Sequence, residues 1–482
     1  MKPSEYAVLD ATALAELIQK REVTADEALE AAIQAVDIVN PRINAITYKA
    51  YDEARRQIKE ELDPGAPFSG APMLLKDCGA IAKGIPSTSG SRLIKWQTTD
   101  EDTEIVKRFK KAGFIIFGTT NTPECCFTNT TESILHGPTR NPWDPGRIPG
   151  GSSGGSAAAV ISGIAPVAHG TDGGGSIRQP SSCCGVVGLK PSRFRIPNSP
   201  GHGDMLSGLG SSFALTRSVR DAARILDAIH GPDRGYYGMA APSDDTFYNK
   251  TRVDPAPLRI AYMARYPLGA QMENKECLEA LMKAVSLLTD LGHHVTEAYP
   301  EVDARIHWAR ETIQAAGIAA QLDSASQSQR RPINGDYVEG MILETYYKGK
   351  SAKATDFLQA LEINNIISRS MGLFMEDYDI IVCPTMGTLP CPIGEIDANQ
   401  HPEWDYERWR AQKSRFSHFT NLFNATGQPS MSIPLYESSQ GLPIGIELSG
   451  KLGDDATVLA LAAQLERAEN WKDRRPGVHV LA

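Results

Sequence analysis

No run of about 20 apolar residues occurs anywhere in the chain, so the sequence offers no membrane-spanning helix. The first twenty residues, MKPSEYAVLDATALAELIQK, contain no apolar h-region ahead of a cleavage site. The expected location is therefore cytoplasmic. No CxxC spacing occurs among the eight cysteines, Cys78, Cys125, Cys126, Cys183, Cys184, Cys277, Cys383 and Cys391. That pattern fits neither a disulfide framework nor a zinc site, and buried reduced thiols are expected. No Lys stands in the GxxxxGK[ST] position, which excludes a Walker loop. Internal repeats and low-complexity segments are also absent.

The rest of the composition is ordinary. Of 482 residues, 41% are hydrophobic and 22% charged, as in a soluble globular protein. The net charge of −9 argues against nucleic acid or an anionic membrane as the main partner. The partner expected is a small molecule, and a homodimer is the candidate assembly.

The chemistry is concentrated in residues 150–191, GGSSGGSAAAVISGIAPVAHGTDGGGSIRQPSSCCGVVGLKP. A glycine-serine loop at 150–155 opens an apolar helix-like run, 156–164. Pro166 ends that run, and a short strand is expected at 167–170. A second glycine loop follows at 172–176, then an apolar strand at 185–189. About 11 helical residues travel about 16 Å outward. About six strand residues travel back about 20 Å. The two loops should therefore meet, which brings Ser152 or Ser153 near Ser176. Gly173, Gly174 and Gly175 carry no Cβ, so their N–H groups can converge on one point. Converging N–H groups beside a hydroxyl suit acyl transfer, because they stabilise a developing oxyanion.

Other readings of the first loop fail. A dinucleotide loop needs an apolar strand before it, and RNPWDPGRIP stands there instead. Residues 150–154 also fit GxSxG, the elbow of α/β-hydrolases. Pro142, Pro145 and Pro149 argue against the strand that elbow requires.

The blocks GGSSGGSAAAV, GTDGGGSIRQP and CGVVGLKPS resemble the amidase signature family. The resemblance implies Ser176 as nucleophile and Ser152, 24 residues earlier, as a bridging serine preceded by a cis peptide bond. It implies an oxyanion hole from the backbone of Gly173, Gly174, Gly175 and Ser176. A third group comes from PMLLKDCGA, a short apolar strand ending in Lys76 and Asp77. Alone, Lys76 reads as a lysine that snorkels to solvent or pairs with Asp77. Beside the serine loops, GAPMLLKD resembles the family's lysine block and implies Lys76 as general base. A base must be neutral, and burial disfavours an ammonium, lowering a lysine from roughly 10.4 toward 7–8.

TNTPECCFTNTTE resembles a further family block, with Cys126 and Phe127 as candidate substrate-wall residues. A cysteine nucleophile is not expected, since no His except His136 lies nearby in sequence and the serine set is complete without it. Asp172 and Arg178 bracket the nucleophile loop as a buried pair that holds its shape. The alternative is that Arg178 binds an anionic substrate. No metal or organic cofactor is required.

The implied fold class is α/β, one large mixed twisted sheet flanked by helices on both faces. A single amidase domain over 1–482 is expected, with a core at about 60–235 and 377–470. The variable portion, 236–376, should set specificity, with Trp308, Ile313, Gln314, Ile318, Tyr337, Met341 and Tyr346 or Tyr347 as candidates. Residues 198–213 read as a lip over the site. Elsewhere Thr24 and Glu27 form a capping box, Asn40-Pro41 ends a helix, and Glu101 begins an amphipathic helix running to Ala112. His293-His294 read as a turn pair. A hairpin is expected across NATGQPSMSIPL and LPIGIELSG, then a final helix at 456–468 capped by Asp454 or Asp455.

Within the family, NPWDPGR, SGGSAAAV, APVAHG and CGVVGLKP resemble the 6-aminohexanoate-cyclic-dimer hydrolase branch. That implies hydrolysis of a small to medium, uncharged or hydrophobic amide: linear, cyclic, anilide or carbamate. A second reading is the glutaminase (A) subunit of a tRNA-dependent amidotransferase. SIRQP suits it, but no glutamine-clamping arginine and aspartate blocks stand out, and 415–420 reads RFSHFT. A third reading is a scaffold with a dead site, against which intact Lys76, Ser152 and Ser176 count.

Overall fold

The computed structural model describes residues 1–94, 96, 98–198, 204–235, 238–270 and 272–482. Its strands, in chain order, are β1 Ile46–Lys49, β2 Pro72–Lys76, β3 Ile115–Thr120, β4 Glu132–Ser133, β5 Gly137–Pro138, β6 Val167–Asp172 and β7 Val187–Lys190. They continue with β8 Ser211–Thr216, β9 Arg259–Tyr262, β10 His294–Glu297, β11 Ile380–Pro384, β12 Ser430–Glu437 and β13 Pro443–Gly450. Eleven of them form one sheet in the order β1-β3-β2-β6-β8-β7-β12-β13-β11-β9-β10, and β4 with β5 makes a separate ribbon. The sheet is mixed. β2 runs parallel to both β3 and β6, whereas β8, β7, β12 and β13 pair antiparallel in turn. Helices flank it, as an α/β reading requires.

Two neighbouring parallel strands position the site. Met73 of β2 stands opposite Val167 of β6, and Leu74 opposite Ala168. Both strands are buried along their whole length. Their carboxyl ends, Lys76 and Asp172, therefore emerge at the same edge of the sheet. Open α/β sheets place ligands at such an edge.

The stretch 150–191 largely follows the expected path, but its first helix is Gly154–Ile161 and not 156–164, and β7 begins at Val187 and not at 185. β6 extends two residues further than 167–170 and carries Thr171 and Asp172 into the ladder. Between the second loop and β7 lies a buried helix, Arg178–Cys184. Pro180 falls in its first turn, where its missing N–H costs no helical bond.

Elsewhere the helix Ala25–Ile43 runs past Pro41 instead of stopping there. Its end comes at Asn44, which is left-handed (φ 50°), donates to Asn40 O at 2.8 Å and closes the last turn. The basic helix is Glu104–Lys111, shorter than 101–112. The Thr24–Glu27 capping box is present. Asp454 caps the last helix, while Asp455 accepts from Ser192 and Arg195. His293 bonds Leu258 N and Gln464, and no metal-holding cluster occurs among the described residues. Part of the expected lip, 199–203, lies outside the described residues.

Candidate active site

Lys76 is fully buried at the end of β2. Its Nζ lies 2.6 Å from Ser152 Oγ and 2.9 Å from Thr171 Oγ1. It neither reaches solvent nor pairs with Asp77. The Asp77 carboxylate instead accepts from the N–H and hydroxyl of Thr88. The Gly151–Ser152 peptide is cis. A Cβ at Gly151 would fall 2.6 Å from the backbone of Asn129 and Thr130, so only glycine fits there. Of the two loop serines, Ser152 is the one that meets Lys76. Ser153 Oγ sits 3.4 Å from both the N and the O of Thr171, tying its loop to β6.

Ser176 is partly exposed and faces the same cavity as Ser152, a space of about 590 Å³. Ser153 N donates to Ser176 O at 3.2 Å, which holds the two loops side by side. The expected meeting of the loops is thus observed.

The second loop is built around Asp172. Its Oδ1 accepts from Gly175 N at 2.7 Å, and its Oδ2 from Ile177 N at 3.2 Å. Arg178 donates to both oxygens, each at 2.9 Å. The other end of the guanidinium reaches Glu447 Oε1 at 2.5 Å and Thr420 O at 2.9 Å, and Asn424 Oδ1 accepts at 2.6 Å. Arg178, Asp172 and Glu447 are all fully buried. Burial raises the Asp172 carboxyl, but the charge of Arg178 outweighs it and holds the group well below the usual carboxylate range. Burial lowers Arg178, and the two acids more than reverse this. Arg178 is therefore a scaffold cation, and the anion-binding alternative does not fit.

One sequence expectation needs correction here. The Gly175 N–H is used by Asp172, so it is not a free oxyanion donor. Gly175 instead supplies conformation. Its φ is +124°, and a Cβ there would meet Gln179 Nε2 and Thr420 Oγ1. Gly173, Gly174 and Ser176 face the cavity, and Gly175 does not.

Cys126 and Phe127 do line the cavity. Cys126 Sγ lies 3.2 Å from Thr122 Oγ1, and Thr122 donates to Ser152 O at 3.0 Å. Of the specificity candidates, Ile313, Gln314 and Ile318 reach the cavity. Trp308, Tyr337, Met341, Tyr346 and Tyr347 do not, and Trp308 and Tyr347 are exposed. Sequence reasoning missed Thr171, Cys78, Arg310 and Lys413. A spacing signal existed for Arg310: it stands three, four, seven and eight residues before Ile313, Gln314, Gly317 and Ile318, one face of the helix Ile306–Gln329.

The arrangement is a buried amine hydrogen-bonded to a serine, beside a second serine at a glycine cradle. That is the equipment of an acyl-transfer enzyme. The Amidase family model matches residues 27–459, and the chain belongs to that family. It is a hydrolase of amide C–N bonds. The chain is 36% identical to the 6-aminohexanoate-cyclic-dimer hydrolase of Paenarthrobacter ureafaciens, over 97% of this chain and 96% of that one. It is 30% identical to an acylamidase of Rhodococcus erythropolis, over 97% of each. A solved structure of 6-aminohexanoate cyclic dimer hydrolase complexed with substrate matches with a TM-score of 0.94 at 35% identity, over 98% of this chain and 99% of that one.

Proposed function

We propose that the protein hydrolyses a small to medium amide through an acyl-enzyme on Ser176, with Ser152 and Lys76 as the proton relay. The observation that carries this reading is the 2.6 Å contact of Lys76 Nζ with Ser152 Oγ at the floor of the cavity that Ser176 faces. In this relay Lys76 Nζ takes the Ser152 proton, and it donates to Thr171 Oγ1.

Ser176 Oγ attacks the carbonyl carbon while its proton passes to Ser152 Oγ and the Ser152 proton passes to Lys76. The carbonyl oxygen gains the negative charge and rests on N–H groups of Gly173, Gly174 and Ser176. As the C–N bond breaks, the relay runs backwards and protonates the leaving nitrogen. Water then repeats the attack on the ester, and its proton follows the same route. The products are an amine and a carboxylic acid, and Ser176 is restored. No step calls for a metal or organic cofactor.

The walls fit an amide of mixed character. Cys126, Phe127, Ile313 and Ile318 are apolar, while Gln314 and Asn129 can hydrogen-bond. The similarity to a cyclic-dimer hydrolase and an acylamidase supports cyclic amides and acyl amides as the first compounds to try. The test is a fluorophosphonate probe with peptide mapping by mass spectrometry. An adduct on Ser176, absent after Ser176→Ala along with amide hydrolysis, is expected. Hydrolysis that survives Ser176→Ala overturns the assignment.

A further inference from the structure

The cavity holds two cations that the relay does not use. Arg310 faces it from the helix Ile306–Gln329, and Lys413 faces it from the helix Tyr406–Ser414. Among the described residues no hydrogen bond or ion pair within 4 Å engages the Arg310 guanidinium, and its Nε is buried without a partner. This contrasts with Arg178, whose donors are consumed by Asp172, Glu447, Asn424 and Thr420. The acid next to Arg310 in sequence, Glu311, lies within 4 Å of Lys348 and Arg410 instead. Among the described residues the one acid on the cavity wall is Asp204, which has an interaction of its own. Lys413 already donates to Phe127 O at 2.9 Å and lies over the Phe127 and Trp409 rings.

Arg310 also sits close to the chemistry. A Cβ built on Gly174 would lie 3.5 Å from Arg310 Nη2 and 2.9 Å from Asn421 Oδ1. Gly174 is two residues from Ser176. With about 3.8 Å between successive Cα atoms, the guanidinium lies at most about 13 Å from the Ser176 Cα. That is the reach of a short carbon chain. A half-buried guanidinium with no carboxylate in contact carries a desolvation cost that a bound carboxylate relieves, and its planar fork suits a carboxylate.

We infer that Arg310 anchors a carboxylate carried by the substrate, so that the preferred amide bears an anionic end a few carbons from the scissile bond. This rests on the amidase reading above and replaces the expectation of an uncharged substrate. The carboxylate can belong to the acyl part, as in a half-amide of a dicarboxylic acid. It can equally belong to the amine, as in an N-acyl amino acid. Burial pushes Arg310 down to about 10, which leaves it charged at neutral pH. Burial and then the charge of Arg310 push Lys413 down to about 7, so Arg310 is the steadier of the two cations.

Two matched pairs separate the sources. Glutaric acid mono-p-nitroanilide against its terminal carboxamide probes the acyl side. 4-(Butyrylamino)benzoate against 4-(butyrylamino)benzamide probes the amine side. In one pair, the carboxylate member should show at least about tenfold higher kcat/KM. That ratio should collapse toward one in Arg310→Met and persist in part in Arg310→Lys. No preference in either pair, or a preference that survives Arg310→Met, overturns the inference. Calorimetric titration of glutarate into the Ser176→Ala protein reads the same subsite without turnover. Binding is expected there and should be lost on adding Arg310→Met, with unchanged circular dichroism as the folding control. Glutarate that fails to bind, or binds both proteins equally, sinks the inference even if amides are hydrolysed. Glutarate bound through Arg310 beside a failed Ser176 probe would instead overturn the amidase mechanism alone.

Discussion

The backbone N–H of Gly175 donates to the Asp172 carboxylate at 2.7 Å, and this bond closes the loop that presents Ser176. The same carboxylate holds Arg178, which reaches across to Glu447 on β13 and to Asn424. The Ser176 loop is thus fastened to the far half of the sheet by one buried cation.

Removing the charge from one partner should therefore cost stability and activity together. Asp172→Asn keeps the shape but leaves Arg178 buried with a single acid. Breaking a buried pair in this way costs about 3–5 kcal/mol. Thermal melting should show a markedly lower Tm, and fluorophosphonate labelling of Ser176 should slow. Gly175→Ala should fail similarly, because its Cβ has no space and its φ suits glycine alone. A wild-type Tm in Asp172→Asn would show that the pair is not structural.

Lys76→Met and Ser152→Ala test the relay. Each should lower kcat by about 10²–10⁴ with a smaller change in KM, as loss of a general base does. The double variant should be no worse than the weaker single one, because a relay cut at either point is already broken. Multiplicative losses in the double variant would mean that the two residues act separately.

How much of this could be read from the residues alone follows from where the chemistry sits. Spacing and glycine placement bring the two glycine loops together but leave Ser152 and Ser153 as alternatives, and only the resemblance to the amidase signature family singles out Ser152. Lys76 alone reads as a snorkelling lysine, and only the family's lysine block points to it as a base. What closes the site is long-range. Arg178 meets Thr420 and Glu447 across 242 and 269 residues, and no local pattern announces those partners. Arg310 was hidden for another reason: it lies on a helix of the variable portion, and its significance depends on having no partner there. The Gly175 N–H was misassigned because sequence shows which residue can turn a donor, not which acceptor it finds.

Glu124 carries a pH prediction. It is buried, accepts from Ser91 Oγ and Glu339 N, and is pushed up to about 7 by burial and then by Glu339. The folded state therefore holds a proton between about pH 4.5 and 7 that the unfolded chain releases. Stability falls as pH rises through that window, and the loss is complete above it, by roughly 3 kcal/mol for this group. Glu124→Gln can still accept from Glu339 N and donate to Ser91 Oγ. It should raise Tm at pH 8 relative to the wild type and flatten the Tm profile between pH 5 and 8. An unchanged profile would show that Glu124 ionises freely in the fold.

The cavity thiols give the last prediction. Cys78 and Cys126 both line the cavity, next to Lys76 and Thr122. Burial raises the Cys126 thiol, but hydrogen bonding from Cys78 and from Thr122 offsets it and brings the thiol below the ordinary range. Cys78 moves the other way, raised by its bond to Cys126 and by burial. The thiolate is the form that alkylates, so Cys126 should react while Cys78 does not. Cys183, Cys184 and Cys383 are buried with raised pKa values and should stay silent. Brief treatment with iodoacetamide at a series of pH values, read by peptide mass spectrometry, should modify Cys126 first. Its midpoint should fall below that of a free thiol. Because Cys126 touches the wall that Ser152 and Ser176 share, modification should also block amide hydrolysis, and a preloaded amide should slow both. Equal labelling of Cys78 and Cys126 would show that the pair does not divide its proton in this way.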